Sequence, residues 1–445
     1  MARGSGISRR KFLGGVAGGS AALALGSSRL SETLAAKSAP AVIQSGGKLT
    51  YWGGLIFSDD ANNLLVDTIN KWGKDNGVQT EVVMINQNET NQKVSAAVES
   101  GTMPDALDMG LDLLLLLSTQ SQLTPVDDLY EKIGQAHGGW YDSISSSSDT
   151  THLGDKSRTG IPFGSSGNLL FSRKDALEQA GLEPPPKTWQ EMSDMAKKAQ
   201  KPPLFGMGLA LSNVGDGNVQ VSVMQSYGGR VADDAGKTVT IKSDATKTYL
   251  EWVKAAWDDK LFPPGNTTWD GAGDNTSYLS GQSIFIANTG SVTIAMEKDD
   301  PDLAKSTSYS ALPAGPKLQI SPISPNFRAI PKTTKDLDQA KALLEYLANP
   351  EFMEAYYNVA IYAPVLKAYE SFKVFTDPVH GGLLDLVKSG TGPAYPDVNN
   401  TAYADFNANF IVPKMVQRIV IDGKSIDEAM DEAQTQGQAI YDKYK

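Results

Sequence analysis

The sequence predicts an α/β fold with more than one domain, and three observations support this prediction. Segments typical of buried strands alternate with segments in which apolar residues recur at helical spacing, first over 48–109 and again over 160–211. Strand, helix and strand in this order favour parallel pairing through right-handed crossovers. The length of 445 residues allows two or three domains of about 100–200 residues each.

The composition excludes several classes of function. The chain has 40 basic and 51 acidic side chains, a formal net charge of −11 and no cysteine. An acidic chain is a poor partner for nucleic acid or for an anionic membrane surface. Without cysteine, disulfides, thiol nucleophiles, iron–sulfur clusters and a lipid-modified N-terminal cysteine are all excluded. We therefore expect no nucleic-acid partner and no lipid anchor.

Residues 1–41 are typical of an export signal. Arg9 and Arg10 precede an apolar stretch over 12–26, which is shorter than the roughly 20 apolar residues that a bilayer span needs. Ala39-Pro40-Ala41 provides a small-residue cleavage site. The paired arginines resemble a twin-arginine signal, which would make the twin-arginine export machinery a partner. An ordinary secretory signal that happens to contain two arginines is the alternative. Either signal predicts a soluble protein exported to the periplasm.

The first strands and helices are the most clearly marked. Residues 48–54 and 79–85 are predicted strands, and Ser58 and Gly77 mark the two ends of the helix between them. A second helix over 89–100, with Asn88 as its cap, leads to a third strand over 104–109. Because ligands bind beyond the carboxyl ends of parallel strands, residues 52–60, 86–89 and 108–112 are expected at one edge of the sheet.

The rest of the chain repeats the alternation less regularly and then becomes helical. Strands are predicted at 160–163, 169–172, 204–211 and 283–287, and a hairpin at 230–241. Helices are predicted at 189–200, 219–227, 245–257, 337–347, 351–360, 402–421 and 426–444. Residues 143–148 are predicted to be a surface loop, because serine dominates them.

No compact reactive motif appears in the sequence. Phosphate-binding, dinucleotide-binding and nucleophile-elbow patterns all lack required glycines or spacing. The three histidines are far apart, and the oxygen-rich run 270–275 lacks the closing glutamate of a calcium loop. We therefore expect no metal and no cofactor. An enzyme that pairs two distant carboxylates, as glycosidases do, stays open.

Aromatic residues lie beside amide and acidic residues at the predicted strand ends, which is the mixture that sugar sites need. Aromatic faces pack on the apolar face of a pyranose, and polar side chains satisfy hydroxyl groups that are costly to desolvate unpaired. The alternative for each ring is packing in the core or at a hinge. The aromatic candidates are Trp52, Phe163, Trp269, Phe327 and Tyr362.

Several segments, in order, carry a resemblance to a known family. They are Ser100–Asp105, Gln122–Leu129, Gly160–Phe163, Leu170–Asp175, Pro185–Glu191, Tyr278–Phe285, Ala311–Pro316 and Asp422–Ala429. The run from Gly160 to Glu191, which ends in Pro-Pro-Lys-Thr-Trp-Gln-Glu, is the most specific. The chain after its signal resembles the extracellular solute-binding proteins of family 1, the maltose-binding-protein-like receptors of ABC importers.

The resemblance implies a periplasmic-binding-protein fold of two α/β lobes. Each lobe would contain a mixed, mostly parallel sheet flanked by helices, and three crossings, near 162–165, 311–315 and 361–365, would join the lobes. The N-terminal lobe would comprise 42–164 and 314–362, and the C-terminal lobe 165–313 and 363–445. The function implied is capture of a carbohydrate between closing lobes and delivery to the permease subunits of the transporter, by a monomer without enzymatic activity.

The resemblance also implies ligand-contacting residues, at the strand ends, the hinge and the closing segments. In the N-terminal lobe these are Trp52, Gly53, Asp59, Asp60, Asn86, Asn88, Glu89 and Asp108. The hinge contributes Phe163 and Ser165, and the C-terminal lobe contributes Trp269, Asp270, Asn275, Asn288, Gly290 and Ser291. The closing segments contribute Asn326, Phe327, Arg328, Tyr362, Asn399 and Asn400.

Two departures from the family pattern bear on the ligand. An aromatic residue often follows the glycine that matches Gly290, whereas this chain has Ser291 and Val292. The segment before Ile330 is usually glycine-rich, whereas here it contains Phe327 and Arg328. Phe327 would replace the lost ring, and Arg328 would bind a carboxylate or phosphate through paired hydrogen bonds. An acidic sugar or sugar phosphate is therefore an alternative ligand, and structural packing is the alternative role for both side chains.

Overall fold

The computed structural model describes residues 48–56 and 58–444, without the side chains of Gln87 and Asn88. The predicted export signal, with Arg9 and Arg10, lies outside the described residues. The described strands are β1 (Lys48–Leu55), β2 (Gln79–Asn86), β3 (Ala106–Gly110), β4 (Gly160–Ser166), β5 (Leu169–Arg173), β6 (Phe205–Gly208), β7 (Ser283–Asn288), β8 (Thr307–Ser310) and β9 (Ser324–Ala329).

Helices cover most of the remaining described chain. The first nine are α1 (Asp59–Asn76), α2 (Gln87–Ser100), α3 (Leu111–Thr119), α4 (Asp127–Ala136), α5 (Asp142–Ser147), α6 (Lys174–Gln179), α7 (Trp189–Ala199), α8 (Val219–Ser226) and α9 (Asp244–Asp258). The next nine are α10 (Gly273–Leu279), α11 (Ser291–Asp299), α12 (Pro301–Lys305), α13 (Leu337–Tyr346), α14 (Pro350–Val359), α15 (Pro378–Ser389), α16 (Thr401–Ala408), α17 (Ile411–Val420) and α18 (Ile426–Tyr441). Short 3₁₀ turns occupy Gly215–Asn218, Lys367–Ser371, Lys373–Thr376 and Asp442–Tyr444.

The strands form two separate sheets, one in each lobe. The N-terminal lobe has a five-stranded sheet in the order β2-β1-β3-β9-β4, and the C-terminal lobe has a four-stranded sheet in the order β6-β7-β5-β8. The predicted two-lobed α/β architecture with mixed sheets is confirmed.

The sheets contain fewer parallel pairings than the sequence predicted. Among the described strands, β1–β2, β1–β3 and β6–β7 are parallel, whereas β3–β9, β4–β9, β5–β7 and β5–β8 are antiparallel. The reason is the crossing between lobes. Strand β4 leads out of the N-terminal lobe and β9 leads back into it, so the two strands run in opposite directions as neighbours.

The local signals that the sequence carries at the first helix act as predicted. The Ser58 hydroxyl accepts a hydrogen bond from the Ala61 amide at 3.2 Å. This bond satisfies an amide in the first turn of α1 that has no partner within the helix. Gly77 ends the helix with φ of +67°, a left-handed conformation that glycine adopts without steric cost. These ends fix α1 between β1 and β2, as a parallel crossover requires.

Two predicted elements differ from the structure. Residues 142–147 form the short helix α5, because Ile144 is buried in the core and anchors the serine-rich segment there. The predicted helix over 402–421 is two helices, α16 and α17. Phe410 separates them with φ of +53°, a conformation that interrupts right-handed helix.

The hydrophobic core shows which later segments of the chain pack with each lobe. Residues from α13 and α14, and the segment 362–375, pack with the apolar side chains of β1, α1 and α4. The Lys367 amide donates to the Gly139 carbonyl at 2.9 Å, which ties that segment to the N-terminal lobe. Residues of α16, α17 and α18 pack with α7, α8 and α9 in the C-terminal lobe. The predicted division at residue 362 therefore falls inside a segment bound to the N-terminal lobe.

Helix α15 packs between the lobes, against both β4 and β5. Helix α3 of the N-terminal lobe also contacts α16 of the C-terminal lobe. Among the described residues no helix is long and apolar enough to cross a membrane.

Candidate functional site

A cavity of about 560 Å³ lies between the two lobes. Its volume falls in the range of small-molecule sites, about 300–1,000 Å³. One wall comes from the N-terminal lobe, with Gly54, Ile56, Thr90, Asn91, residues 108–113, Phe163 and Asn326. The other comes from the C-terminal lobe, with residues 215–216, 218–219 and 221–222, Thr289, Pro393, Asn399, Tyr403 and Asn407. Residues 166–168, 322–324, Tyr356 and Tyr362 complete the lining.

Four aromatic side chains line the cavity: Phe163, Tyr356, Tyr362 and Tyr403. The ring of Tyr362 stacks on that of Tyr356 at 6.3 Å between centroids, and Phe163 meets Tyr362 edge-on at 6.0 Å. Such contacts fix the orientation of each ring. Burial raises the pKa of the Tyr403 hydroxyl to about 12, so this group stays protonated and can donate a hydrogen bond at neutral pH.

A buried ion pair forms the floor of the cavity on the N-terminal side. Asp108, which is 7 % exposed, pairs with Arg328 at 3.5 Å between Oδ1 and Nε. Its carboxylate also accepts hydrogen bonds from the Tyr51 hydroxyl and from the Gly54 amide. Burial raises the pKa of Asp108, and the adjacent guanidinium offsets part of that increase. The charge of Asp108 is thus compensated within the protein.

Arg328 is held by further contacts beneath the cavity. It is 1 % exposed, its guanidinium lies 4.2 Å from the ring centroid of Phe163, and Nη1 donates to the Leu347 carbonyl at 3.0 Å. Arg328 is not among the residues that line the cavity. The prediction that it binds an acidic group of the ligand is therefore corrected, because β9 directs this side chain into the protein and toward Asp108.

Two other acidic side chains line the cavity, and neither forms an ion pair with a basic residue in the described chain. Asp112 lies on α3 in the N-terminal wall, and Asp216 lies on the 3₁₀ turn before α8 in the C-terminal wall. Burial, together with the negative charges of Asp274 and Asp270, raises the pKa of Asp216 to about 7. Asp112 is solvent-exposed at the cavity wall, and the surrounding protein raises its pKa by partial desolvation. No lysine, arginine or histidine lines the cavity among the described residues.

The structure brings together at the cavity five of the residues implied by the resemblance. They are Asp108, Phe163, Asn326, Tyr362 and Asn399. They come from β3, β4, β9, the segment after α14 and the segment before α16, and they therefore meet only through the tertiary fold.

Other implied residues of the N-terminal lobe lie away from the cavity. Phe327 is fully buried with the leucines of α3, so it cannot replace the missing ring. Trp52 packs half-buried against the same cluster. Gly53 is enclosed by Met84 and Leu65. Exposed positions on the lobe surface are taken by Asp59, Asp60, Asn86 and Glu89, and Glu89 pairs with Lys93. The side chain of Asn88 lies outside the described residues.

Implied residues of the C-terminal lobe form a polar network behind the cavity wall. Asn288 donates to Asp274 at 2.8 Å and to Asn275 at 2.6 Å, and Asn275 donates to Ser291 at 3.2 Å. Gly290 follows with φ of +103° at the start of α11. Only Thr289, within this loop, lines the cavity. The network therefore holds the loop in place rather than facing the cavity directly.

The remaining residues implied by the resemblance contact other parts of the protein and not the cavity. Trp269 is half-buried and lies over Gly273, while Asp270 is exposed and accepts from the Ala272 amide. Ser165 is buried at the crossing, where its backbone pairs with Ala363. Asn400 caps α16 and donates to the Gly236 carbonyl. None of these four lines the cavity.

Several cavity residues have no clear signal in the sequence. Tyr356, Asp216, Ser222 and Asn407 lie on helices or turns rather than at strand ends. The expectation that ligands bind at strand ends misses these residues, because the C-terminal wall of the cavity is formed mainly by helices and turns.

Comparisons with known proteins agree with this architecture. Residues 67–380 match the sequence profile of the bacterial extracellular solute-binding protein family. The sugar-binding protein MalE of Xanthomonas citri has a similar structure, with a TM-score of 0.76 at 17 % identity, over 89 % of this chain and 98 % of that one. A solute-binding protein of Thermotoga lettingae bound with α-D-tagatose gives 0.73 at 19 % identity, over 89 % of this chain and 100 % of that one.

The alignments with proteins related in sequence cover only part of each chain. The sn-glycerol-3-phosphate-binding periplasmic protein UgpB of Escherichia coli is 25 % identical over 304 residues, which cover 61 % of this chain and 64 % of UgpB. A putative binding protein of Brucella abortus is 24 % identical over 227 residues, 51 % of this chain and 53 % of that protein. The match thus spans one half to two thirds of these relatives. With the family profile covering most of the chain, the protein belongs to the bacterial extracellular solute-binding protein family.

Proposed function

We propose that the protein is the substrate-binding component of an ABC importer. It holds a carbohydrate between its lobes and delivers it unchanged to the permease subunits in the membrane. The observation that carries this proposal is the cavity between the lobes, whose lining combines four aromatic side chains with fourteen aspartate, asparagine, serine and threonine side chains. Rings pack on the apolar faces of a sugar while hydroxyls and amides satisfy its oxygens.

The cavity also supports a closing motion. Its lining comes from both lobes, and α3 and α16, which both contribute lining residues, are in contact with each other. A ligand shifts an equilibrium between open and closed lobes only by its difference in affinity for the two states. Contacts to both walls provide that difference, because they form together only when the lobes are closed.

The absence of a cation in the described cavity lining argues against the acidic ligands considered as an alternative. UgpB, by its name, binds sn-glycerol-3-phosphate, and the strongest hydrogen bonds to a phosphate are the paired, charge-assisted ones that arginine makes. In this protein Arg328 is already paired with Asp108 beneath the cavity. We therefore propose that the ligand carries no acidic group.

The protein is proposed to act by binding alone, as an exported monomer. Residues 1–41 would direct it through the twin-arginine machinery into the periplasm and then be removed. Of the implied residues, Asp108, Phe163, Asn326, Tyr362 and Asn399 are the proposed ligand contacts. The rival function is an exported carbohydrate-active enzyme, since Asp112 and Asp216 occupy opposite walls of one cavity.

A thermal-shift screen of sugars tests the proposal. A ligand at 100 times its dissociation constant stabilises the protein by about 2.7 kcal/mol, so a true ligand raises the unfolding temperature measurably. We expect at least one mono- or oligosaccharide to do so and to be recovered intact by mass spectrometry. Cleavage of the sugar would establish the enzyme instead, and the absence of any response to sugars would refute the carbohydrate proposal.

A further inference from the structure

Two residues of the cavity floor share one buried cation. The guanidinium of Arg328 lies 3.5 Å from the Asp108 carboxylate, measured from Nε to Oδ1, and 4.2 Å from the ring centroid of Phe163. Asp108 and Phe163 line the cavity, whereas Arg328 is 1 % exposed and does not line it. Arg328 therefore does not reach a molecule in the cavity, but it contacts two residues that do.

The two oxygens of the Asp108 carboxylate differ in how fully the protein occupies them. Oδ1 accepts a hydrogen bond from the Tyr51 hydroxyl and also faces Nε of Arg328. Among the described residues, Oδ2 accepts a hydrogen bond only from the Gly54 amide, at 3.3 Å. Each carboxylate oxygen has about two lone-pair positions, and Gly54 itself lines the cavity. Oδ2 can therefore accept a further hydrogen bond from a donor in the cavity, such as a sugar hydroxyl.

The strength of this acceptor depends on the charge of Asp108, and that charge depends on Arg328. Burial raises the pKa of the Asp108 carboxyl group, and the positive charge of Arg328 is the largest influence that lowers it. The charge of Asp108 also acts on the hydroxyls of Tyr51, Tyr356 and Tyr362. Burial raises the pKa of each of these hydroxyls, so they are neutral at pH 7 and supply no positive charge.

Arg328 acts on the carboxylate through its charge rather than through a pair of hydrogen bonds. Nη1 donates to the Leu347 carbonyl at 3.0 Å, while Nε and Nη2 make no hydrogen bond within the described chain. A guanidinium that binds a carboxylate through two parallel hydrogen bonds uses two of its nitrogens for that purpose. The rings of Phe163 and Phe352, with centroids 4.2 and 5.6 Å from Cζ, help to hold the cation in place. Lysine at this position should therefore preserve much of the effect.

We propose that Arg328 is a positioning residue for sugar binding. From beneath the cavity it keeps the Asp108 carboxylate ionised, so that Oδ2 accepts a charge-assisted hydrogen bond from a sugar hydroxyl. Such bonds are roughly twice as strong as those between neutral groups. This inference rests on the proposed function, because it assigns a part in holding the sugar to a residue that does not touch it.

The ionisation of Asp108 can be measured without a ligand. NMR of the protein with ¹³C-labelled aspartate carboxyl groups follows its titration, and Asp108→Asn identifies the signal. We expect Arg328→Met to raise the pH at which Asp108 titrates by about one unit or more, and Arg328→Lys to stay near the parent. Leu344→Ala, which changes a buried residue of α13 outside the cavity, should leave the titration unchanged. A titration in Arg328→Met that matches the parent would overturn the inference.

Calorimetric titrations from about pH 5 to pH 8 measure the effect on binding. The probe is the sugar among glucose, galactose, maltose and cellobiose that raises the unfolding temperature most. Where Asp108 is protonated in Arg328→Met but ionised in the parent, we expect the variant to bind about five- to tenfold more weakly. Arg328→Lys should recover most of this loss, and Leu344→Ala should follow the parent. If Arg328→Lys bound as weakly as Arg328→Met at every pH, charge would not be the cause and the inference would be wrong.

A second pair of variants covers the case in which Arg328→Met does not fold. Asp108→Asn and Asp108→Asn/Arg328→Met both lack the buried carboxylate. If Arg328 acts through the charge of Asp108, these two proteins should bind the probe within about twofold of each other at every pH. A further loss in the double variant would overturn the inference and leave the carbohydrate receptor intact. Binding of no sugar by the parent protein would refute both.

Discussion

Two aspartates at one cavity differ in how their charge is balanced. Asp108, in the N-terminal wall, lies against Arg328 and accepts hydrogen bonds from Tyr51 and Gly54. Asp216, in the C-terminal wall, is acted on by the negative charges of Asp274 and Asp270, and burial together with these charges raises its pKa to about 7. The charge of the first carboxylate is compensated within its lobe, whereas the second forms no ion pair among the described residues.

The difference separates a carboxylate whose charge the protein compensates from one whose charge it leaves uncompensated. A buried charge with its own partner contributes to one defined conformation, and removing either member leaves the other uncompensated. A carboxylate without a partner lowers stability while it is ionised. Substitutions on the two walls should therefore have opposite effects on folding, and the following predictions test that contrast.

Arg328→Met is expected to have the largest effect. It leaves Asp108 buried without a cation, and breaking a buried pair from one side costs about 3–5 kcal/mol. Urea denaturation measures the loss in the free energy of unfolding. Asp108→Asn in the same background should recover part of it. Arg418→Met, which removes an exposed arginine paired with Asp422 and Glu432, should cost at most about 1 kcal/mol. If both arginine variants lost the same free energy of unfolding, the proposed difference between the buried and the exposed ion pair would be wrong.

Asp216→Asn is expected to stabilise the protein, in a manner that depends on pH. The folded-state pKa of Asp216, about 7, lies above its ordinary value near 3.9. Ionisation therefore favours the unfolded state, and this group lowers stability progressively as the pH rises from about 4 to 7.

The variant should accordingly be more stable than the parent at pH 8, by about 2 kcal/mol after allowance for partial exposure. The gain should shrink as the pH falls through 7 and vanish below about pH 4, as followed by urea denaturation at a series of pH values. A loss of stability at pH 8, or a gain that does not vary with pH, would show that Asp216 is not an uncompensated carboxylate.

Tyr362→Ala is expected to weaken sugar binding about tenfold, or roughly 1.4 kcal/mol. The substitution removes a ring that lines the cavity and stacks on Tyr356. Calorimetry with the tightest sugar from the thermal-shift screen measures the loss, and Tyr362→Phe distinguishes the hydroxyl from the ring. Unchanged affinity in Tyr362→Ala would place the ligand elsewhere.

Trp269→Ala is expected to have the smallest effect on binding, less than about twofold. The sequence suggested this tryptophan as a sugar-stacking ring, but in the structure it lies over Gly273 and does not line the cavity. The same titration compares it directly with Tyr362→Ala. A loss as large as that of Tyr362→Ala would restore the original interpretation of Trp269.

Much of the fold could be predicted where the sequence carries local signals. Ser58 and Gly77 mark the ends of α1, and Thr188 caps α7 with a hydrogen bond to the Glu191 amide. Strand β9 was missed, since Pro325 interrupts its pattern and its pairing with β3 and β4 spans a long stretch of sequence. The break at Phe410 was missed because its left-handed backbone occurs at a residue other than glycine, which leaves no marker in the sequence.

The candidate site could be predicted only in part. Asp108, Asn326 and Tyr362 follow from the resemblance, because a family pattern records which strand ends meet. The direction of a side chain along a strand depends on register, and β9 places Phe327 and Arg328 on opposite faces of its sheet, both of which are buried. Asp216 and Ser222 belong to the helical wall, which reaches the cavity only after both lobes are assembled.

The distance between the lobes tests the central claim most directly. The chain has no cysteine, so Asp67→Cys on α1 and Glu251→Cys on α9, both exposed, can carry spin labels on opposite lobes. We predict that a saturating sugar shortens the mean distance between the labels and narrows its distribution. A distribution that the bound sugar leaves unchanged would contradict a receptor that closes around its ligand.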